Sequence, residues 1–401
     1  MFAIGTLNFV MSMFFRASTA VISPAMQRDL GLTVGQMSDL AAAFFYAFAV
    51  SQLPLGVALD RLGPRVTMSL LAVASLTGVF TFAFGQNNDQ LLVGRVLLGI
   101  GMSGNLMVPL ALLAAWFPVD RFAFLSGVIV SIGTLGSILA ATPLAALSLW
   151  IGWRGSIAAF GVADALILGA FLMVIRDRPP GQSRFRAQPK PVVGDLLRLV
   201  GMYSYWAISL SCFVRYGYLS ALQSLWMVPF LISGLGMGEI EAGNAIVALS
   251  LGYMFGLPVS GSLSDRVLRS RKKVILAGMV VCCAAILAAG WLGAGTPTWM
   301  VFFLFFMIGT TAAPGQIMYA HMKELLEPSM VAQAMTAVNF FTVLGAGVMT
   351  HVLGFVIGAE PSALTGPAGY WGLWYVGAGA LAAVTLMYAL VQDSDALKVR
   401  G

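Results

Sequence analysis

Charged residues are scarce in this sequence. Only 9% of its 401 residues are Asp, Glu, Lys or Arg, whereas 59% are hydrophobic. A soluble globular protein carries about 25% charged residues, so the shortage excludes an ordinary water-soluble fold and indicates a polytopic membrane protein. Lipid gives the backbone no hydrogen-bond partners, so the spans must be helices or a closed barrel. Long apolar runs such as MSLLAVASLTGVFTFAF favour helices, because a barrel would show alternation.

Cysteine and the known catalytic or nucleotide-binding motifs are also scarce. The three cysteines, Cys212, Cys282 and Cys283, lie in apolar runs and form neither a disulfide framework nor a metal-ligand pattern. No GxxxxGK[ST] loop occurs, so ATP is not expected to drive the protein. A nucleophile–base pair and a zinc motif are absent as well. We therefore expect no enzymatic activity, no cofactor and no bound metal.

Twelve apolar segments follow one another along the chain, each long enough to cross a bilayer as a helix. They lie near residues 4–26, 35–59, 66–86, 90–116, 121–148, 154–175, 202–232, 240–263, 272–292, 297–320, 330–357 and 370–391. The first is expected to be a retained helix rather than a cleaved signal peptide, because further spans follow it. A basic, proline-rich stretch separates spans 6 and 7. We predict one six-helix bundle over 1–175, a linker over 176–201 and a second bundle over 202–401.

The basic residues are distributed unequally between the two sides of the predicted membrane protein. Of the 22, the side of the linker and termini carries 17, the opposite side carries Arg28 and Arg154, and three lie inside spans. Cytoplasmic loops are the ones enriched in Lys and Arg. The bias predicts a multi-pass protein of the cytoplasmic (inner) membrane with both termini cytoplasmic. It also explains the net charge of +6 without a nucleic-acid partner.

The two halves repeat a loop. GVALDRLGPR follows span 2, and GSLSDRVLRSRKK follows span 8. The first copy contains Gly56, Asp60, Arg61, Gly63 and Arg65, and the degenerate second copy contains Gly261, Asp265, Arg266 and Arg271. An acid near a helix end can pair with arginines or with a helix N-terminus, so the loop is interpreted as a gate rather than a simple turn with orienting charges. Parallel six-helix repeats are a transporter architecture, and they argue for alternating access rather than a channel.

With twelve spans, two repeats and this loop, the whole chain resembles the major facilitator superfamily. The resemblance implies an all-α membrane fold of two pseudo-symmetric six-helix bundles that move a substrate by alternating access. Span 4 holds RVLLGIGMSG, which is similar to a second motif of that superfamily. Its Arg95 either faces a central cavity or pairs structurally with other spans, and both interpretations remain open. We expect a monomer embedded in the lipid bilayer.

Two arginines stand at matching positions of the repeats. Arg16 ends SMFFR in span 1, and Arg215 ends SCFVR in span 7. A charge at the centre of a span costs about 2.5–3.5 kcal/mol on insertion scales, so such residues usually serve a function. Matching positions of spans 1 and 7 are expected to meet near the pseudo-two-fold axis, where an anion would relieve the repulsion and accept bidentate hydrogen bonds. The alternatives are a buried acid partner for each arginine, or carbonyl partners for one of them.

The surrounding residues resemble organic-anion branches of the superfamily. FFRASTAVISP with QLPLGVALDRLGPR is similar to the anion:cation symporters, and VRYGYL resembles the organophosphate:phosphate exchangers. Both resemblances imply a small organic anion, a carboxylate or a phosphate ester, as substrate. Phe15 and Met102 stand where the symporters usually carry acids. The coupling ion, proton or sodium, and the direction of transport therefore stay open.

Polar residues inside spans supply further candidates. Tyr46, Asn105, Gln223 and Asn339 are expected to contact substrate, although hydrogen bonds between helices are the commoner use of such side chains. Asp164 in span 6 is the one deep acid and a candidate proton site. Two other functions remain open. An amino-acid or peptide transporter would need an acidic counter-residue in its cavity, and a drug efflux pump would tolerate Arg16→Ala.

Overall fold

The computed structural model describes residues 2–117, 119–177, 198–358 and 367–393. The chain forms two compact units, Met1–Gln188 and Pro189–Gly401. Most of the predicted linker, residues 178–197, lies outside the described residues. Within the described ranges all regular elements are helices.

In the first unit, short sequence motifs mark the starts of spans 2 and 3. Span 2 starts with a capping box, in which Thr33 and Gln36 satisfy each other's backbone N–H groups. Span 3 has Pro64 at its first position, where a missing N–H costs nothing. The helices of this unit are Phe2–Leu30, Val34–Leu62, Pro64–Phe84, Asn88–Met102, Met107–Trp116, Val119–Gly133, Leu135–Leu139 and Thr142–Val174.

Two of these spans are not single straight helices. Span 4 is interrupted between Met102 and Met107. The last helix, Thr142–Val174, contains Gly152 at φ +73°, where the chain leaves span 5 and enters span 6. A positive φ at this turn favours glycine because it has no Cβ.

The second unit has the same number of spans. Its α-helices are Tyr203–Ala221, Met227–Pro229, Glu239–Ser262, Arg271–Ala289, Thr298–Ala312, Ile317–Leu325, Pro328–Gly358 and Trp371–Ala389. Span 7 continues past Ala221 through π-helical turns at Leu222–Trp226 and Phe230–Gly234. Span 10 is interrupted by the 3-10 turn Ala313–Gln316.

The predicted fold class is confirmed. In the described residues, ten helices are long and apolar enough to cross a membrane. One of them, Leu125–Val174, turns at Gly152 and supplies two spans, and residues 203–234 form the twelfth. Glycines bring the helices of each unit together: a Cβ on Gly217 of span 7 would lie 2.5 Å from the carbonyl oxygen of Gly345 in span 11.

Candidate functional site

Arg16 lies near the middle of span 1 and is only partly buried. Its Cζ lies 5.2 Å from the centre of the Phe45 ring in span 2, which is a cation–π distance. The residues on either side of it, Phe15 and Ala17, are buried. The sequence therefore holds a permanent charge in an apolar helix, and the fold leaves part of that charge accessible.

Arg95 lies in span 4 and is completely buried, with 0% of its surface exposed. Its Nε donates to the carbonyl of Leu40 in span 2 at 3.0 Å, and its Nη1 donates to the carbonyl of Phe15 in span 1 at 3.0 Å. The guanidinium also lies 4.8 Å from the ring centre of Phe44. Arg95 thus links three spans, while its Nη2 is buried without a hydrogen-bond partner among the described residues.

Arg215 lies in span 7 and is buried to 3% exposure against the interrupted part of span 10. Its Nη1 donates to the carbonyl of Ala312 at 2.6 Å. The guanidinium fills the space beside Gly315, where a Cβ would collide with Cζ and Nε. Its Nε is buried and has no hydrogen-bond partner among the described residues. An arginine has five N–H donors, so this guanidinium retains donor capacity for a ligand.

The interruption of span 4 is stabilised by the two preceding spans. Gln52 Nε2 of span 2 donates to the carbonyl of Ser103 at 2.9 Å, and Ser12 Oγ of span 1 donates to that of Met102 at 3.4 Å. Irregular backbone at membrane depth is tolerated when it is buried in protein or lines a cavity.

The interruption of span 10 follows the same plan in the second unit. Arg215 of span 7 bonds Ala312, and Gln316 Nε2 donates to the hydroxyl of Tyr253 in span 8 at 2.7 Å. In both units, polar side chains of the first two spans therefore meet the break in the fourth. Interrupted helices with free backbone groups are typical of transporter substrate and ion sites.

The remaining predicted ligands differ in their surroundings. Asn105 is buried, and its Nδ2 donates to the carbonyl of Asn8 in span 1 at 2.9 Å. Gln223 Nε2 donates to Ser250 Oγ in span 8 at 2.9 Å. Tyr46 and Asn339 are partly exposed. Asn105 and Gln223 thus each donate a hydrogen bond to a neighbouring helix.

The first copy of the repeated loop lies largely exposed. Gly56, Asp60, Arg61 and Arg65 are exposed. The backbone N–H of Arg65 donates to Asp177 Oδ1 at 2.6 Å, and its Nη2 donates to the carbonyl of Leu172 at 2.7 Å. The loop is thereby fastened to the end of span 6.

Gly63 leaves no room for a side chain in that loop. It has φ +85°, and a Cβ there would lie 2.9 Å from Asp177 Oδ2. Glycine is therefore needed at residue 63 for two reasons: its positive φ, and the close approach of the Asp177 carboxylate.

The second copy is fastened in the same way. Asp393, which follows span 12, accepts from the backbone N–H of Lys272 at 3.2 Å. Arg271 forms ion pairs with Asp265 and, at 3.1 Å, with Glu324, while Arg266 is exposed. The sequence interpretation missed Asp177, Asp393 and Glu324. For Asp177 and Asp393, the available signal was an acid shortly after the last span of each half.

Comparison with known proteins identifies relatives along the whole chain. A family model described as Major Facilitator Superfamily matches residues 5–228 and 208–400. A chloramphenicol resistance protein of Streptomyces lividans is 26% identical over 299 residues, covering 72% of this chain and 69% of its own. A hexuronate transporter of Bacillus subtilis is 22% identical over 379 residues, covering 89% and 86%. The crystal structure of a bacterial homologue of the human lysosomal transporter Spinster, inward-facing and unoccupied, has a TM-score of 0.79 at 16% identity and covers 97% and 95%.

Proposed function

Because the chain belongs to the Major Facilitator Superfamily, we propose that it carries a small organic anion, a carboxylate or phosphate ester, across the cytoplasmic membrane. The protein is a multi-pass membrane transporter and not an enzyme. Alternating access between its two six-helix bundles is the proposed mode of transport. The substrate class and its ligands are the proposal.

The observation that carries the proposal is the guanidinium of Arg215. It is buried at membrane depth, donates one short hydrogen bond to a carbonyl, and holds a buried Nε without a partner among the described residues. A buried charge that is incompletely hydrogen-bonded is costly, and a carboxylate or phosphate would supply both the opposite charge and the missing acceptor. Arg95 differs in having two carbonyl acceptors, both at 3.0 Å, although its Nη2 is also buried without a hydrogen-bond partner among the described residues.

Arg16 is the proposed ligand of the first unit. It occupies the matching repeat position and is partly exposed, whereas Arg95 and Arg215 are buried. Tyr46 and Asn339, also partly exposed, are proposed to assist, and Gln223 is proposed to act with them through its amide oxygen. With the termini proposed to be cytoplasmic, the loop around Asp60, with its second copy at Asp265, is the proposed gate.

The relatives support an organic anion and leave one second candidate. The hexuronate transporter matches most of this chain. Drug efflux is the second candidate, because the chloramphenicol resistance protein also matches. The two functions differ in their need for arginine: an anion transporter requires Arg16 and Arg215, and a pump for uncharged drugs does not.

A thermal-shift screen of the purified protein tests the proposal. Carboxylates, phosphate esters, amino acids and cations are each added to the wild type, Arg16→Gln, Arg215→Gln and the control Arg198→Gln. Arg198 is an exposed arginine outside the spans. Anions should raise the Tm of the wild type and the control but not of Arg16→Gln or Arg215→Gln. Stabilisation by cations or amino acids alone, or an equal response of all variants, would overturn it.

A further inference from the structure

Asp164 is a carboxylic acid enclosed within the first unit, in the part of span 6 that follows Gly152. Its side chain has 0% exposure. Ser75 Oγ of span 3 donates to Asp164 Oδ2 at 3.1 Å. The other oxygen, Oδ1, is buried and has no hydrogen-bond partner in the described part of the chain. Charged carboxylates inside a membrane protein are expensive unless they are paired, and they commonly mark proton relays.

The helices packed against span 6 bring no opposite charge to this carboxylate. Span 3 contributes Ser75, and its residues 67–84 contain no titratable side chain. Span 1 contributes Phe14, whose ring stacks at 3.8 Å on that of Phe160, one turn before Asp164. The charged residue of that region of span 1 is Arg16, which lies over Phe45.

Two more helices reach this neighbourhood. The short helix Leu135–Leu139 of span 5 carries no titratable residue. Span 4 approaches Ser75 at Gly101, and its Arg95 donates to carbonyls of spans 1 and 2. Among the ion pairs of the described residues, none includes Asp164.

The second unit provides an internal comparison. Asp177 and Asp393 make the same contact with the starts of spans 3 and 9, so spans 9 and 12 correspond to spans 3 and 6. Counted along the chain from those two contacts, Ser75 and Asp164 correspond to Cys282 and Ala380. Residues 377–381 of span 12 carry no polar side chain. Packing of this helix pair therefore does not require a carboxyl group.

We infer that Asp164 is the site at which the transporter takes up and releases a coupling proton. The inference rests on the proposed function and adds its coupling ion. The carboxylate takes a proton from water on one side of the membrane onto Oδ1 and becomes a neutral acid; it later returns that proton to water on the other side. Ser75 is a positioning residue, because its hydroxyl occupies Oδ2 and leaves Oδ1 for the proton.

Packing connects this site to the proposed anion ligand of the same unit. Phe14 stands two residues before Arg16 and stacks on Phe160, one helical turn from Asp164. A change of charge at Asp164 alters the electrostatic environment of span 6, and the aromatic stack transmits a shift of that helix to span 1. Coupling of this kind travels through contiguous packed side chains.

Infrared difference spectroscopy on the purified protein reads the proton without any substrate. Spectra in acidic and alkaline buffer are compared for the wild type, Asp164→Asn, Ser75→Ala and the control Asp89→Asn, which changes an exposed acid. Among the carbonyl bands of protonated carboxyl groups, one component, from a carboxyl group shielded from water, should titrate in the wild type and the control, be missing from Asp164→Asn, and change its midpoint in Ser75→Ala. Persistence of that component unchanged in Asp164→Asn overturns the site.

Proteoliposomes then separate coupling from anion binding, with D-glucuronate as the probe. Asp164→Asn should retain counterflow at equal pH on both sides and lose accumulation driven by a pH gradient, and Asp164→Glu should restore that accumulation. Accumulation by Asp164→Asn equal to the wild type overturns the inference. Absence of D-glucuronate counterflow in the wild type would instead count against the proposed substrate, and the infrared band would still decide the proton site.

Discussion

The guanidinium of Arg215 occupies the space that a side chain at Gly315 would need. This relationship fixes the arginine of span 7 in the break of span 10, where its Nη1 reaches the carbonyl of Ala312. The glycine is thus the condition for the buried position of the arginine. A methyl group at residue 315 would displace the guanidinium, because the end of an arginine moves more easily than a helix backbone.

Gly315→Ala is therefore expected to act through Arg215. The displaced guanidinium loses its hydrogen bond to Ala312, and a hydrogen bond of a charged group contributes about 1.5–3 kcal/mol. We predict a lower Tm and a smaller stabilisation by anions, measured by thermal shift. Gly379→Ala is the matched control, since a Cβ there meets no atom within 4 Å. If Gly315→Ala behaves like this control, the position of the Arg215 guanidinium beside residue 315 matters neither for stability nor for anion binding.

Arg95 and Arg16 should respond in opposite ways to substitution. Arg95→Lys cannot reach both carbonyls with one ammonium group, so we predict a marked fall in Tm, while the folded fraction still responds to anions. Arg16→Gln should lose the anion response with a smaller fall in Tm than Arg95→Lys, because Arg16 is only partly buried. The measurement is the Tm of each variant with and without the stabilising anion. Loss of the anion response in well-folded Arg95→Lys would instead give Arg95 a part in binding.

The loop between spans 2 and 3 should limit the rate of transport rather than affinity. Asp177→Asn weakens the bond to the backbone N–H of Arg65, and Gly63→Ala places a side chain at φ +85° against Asp177. The strain in Gly63→Ala should lower stability by more than about 1 kcal/mol. For Asp177→Asn we predict slower counterflow in proteoliposomes with an unchanged anion-induced shift in Tm. An unchanged rate and a reduced shift would place Asp177 in binding instead.

Asn105 was predicted as a substrate ligand, and its contact with Asn8 permits a separate test. Asn105→Ala removes a hydrogen bond between spans 4 and 1, and such bonds average about 0.6 kcal/mol in membrane proteins. A small loss of Tm with an intact anion response is the expected result. Tyr46→Phe serves as the comparison, because Tyr46 is partly exposed and should change the response without a loss of Tm. Loss of the anion response in Asn105→Ala would show that Asn105 takes part in substrate binding.

The fold could be predicted from the sequence because membrane thickness fixes the length of each apolar run. The repeated loop at Asp60 and Asp265 likewise follows from spacing alone. The breaks in spans 4 and 10 were not predicted, although Pro314 and Gly315 in span 10 and Gly104 in span 4 are residues that commonly interrupt helices.

The candidate site was only partly predictable for a related reason. The positions of Arg16, Arg95 and Arg215 could be assigned to spans, but a sequence does not tell which carbonyl each guanidinium reaches. Arg95 has two carbonyl acceptors and Arg215 has one, and each guanidinium keeps one buried nitrogen without a partner among the described residues, Nη2 of Arg95 and Nε of Arg215. Asp177 and Asp393 were missed because their partners are backbone N–H groups, which every residue except proline carries.

The central claim is that an organic anion is carried by means of Arg16 and Arg215. Counterflow of the radiolabelled anion that most stabilises the purified protein, measured in proteoliposomes, tests it most directly. We predict exchange by the wild type and by Arg198→Gln, and none by Arg16→Gln or Arg215→Gln, although all four proteins insert and fold. Equal exchange by Arg16→Gln and Arg215→Gln would contradict the claim.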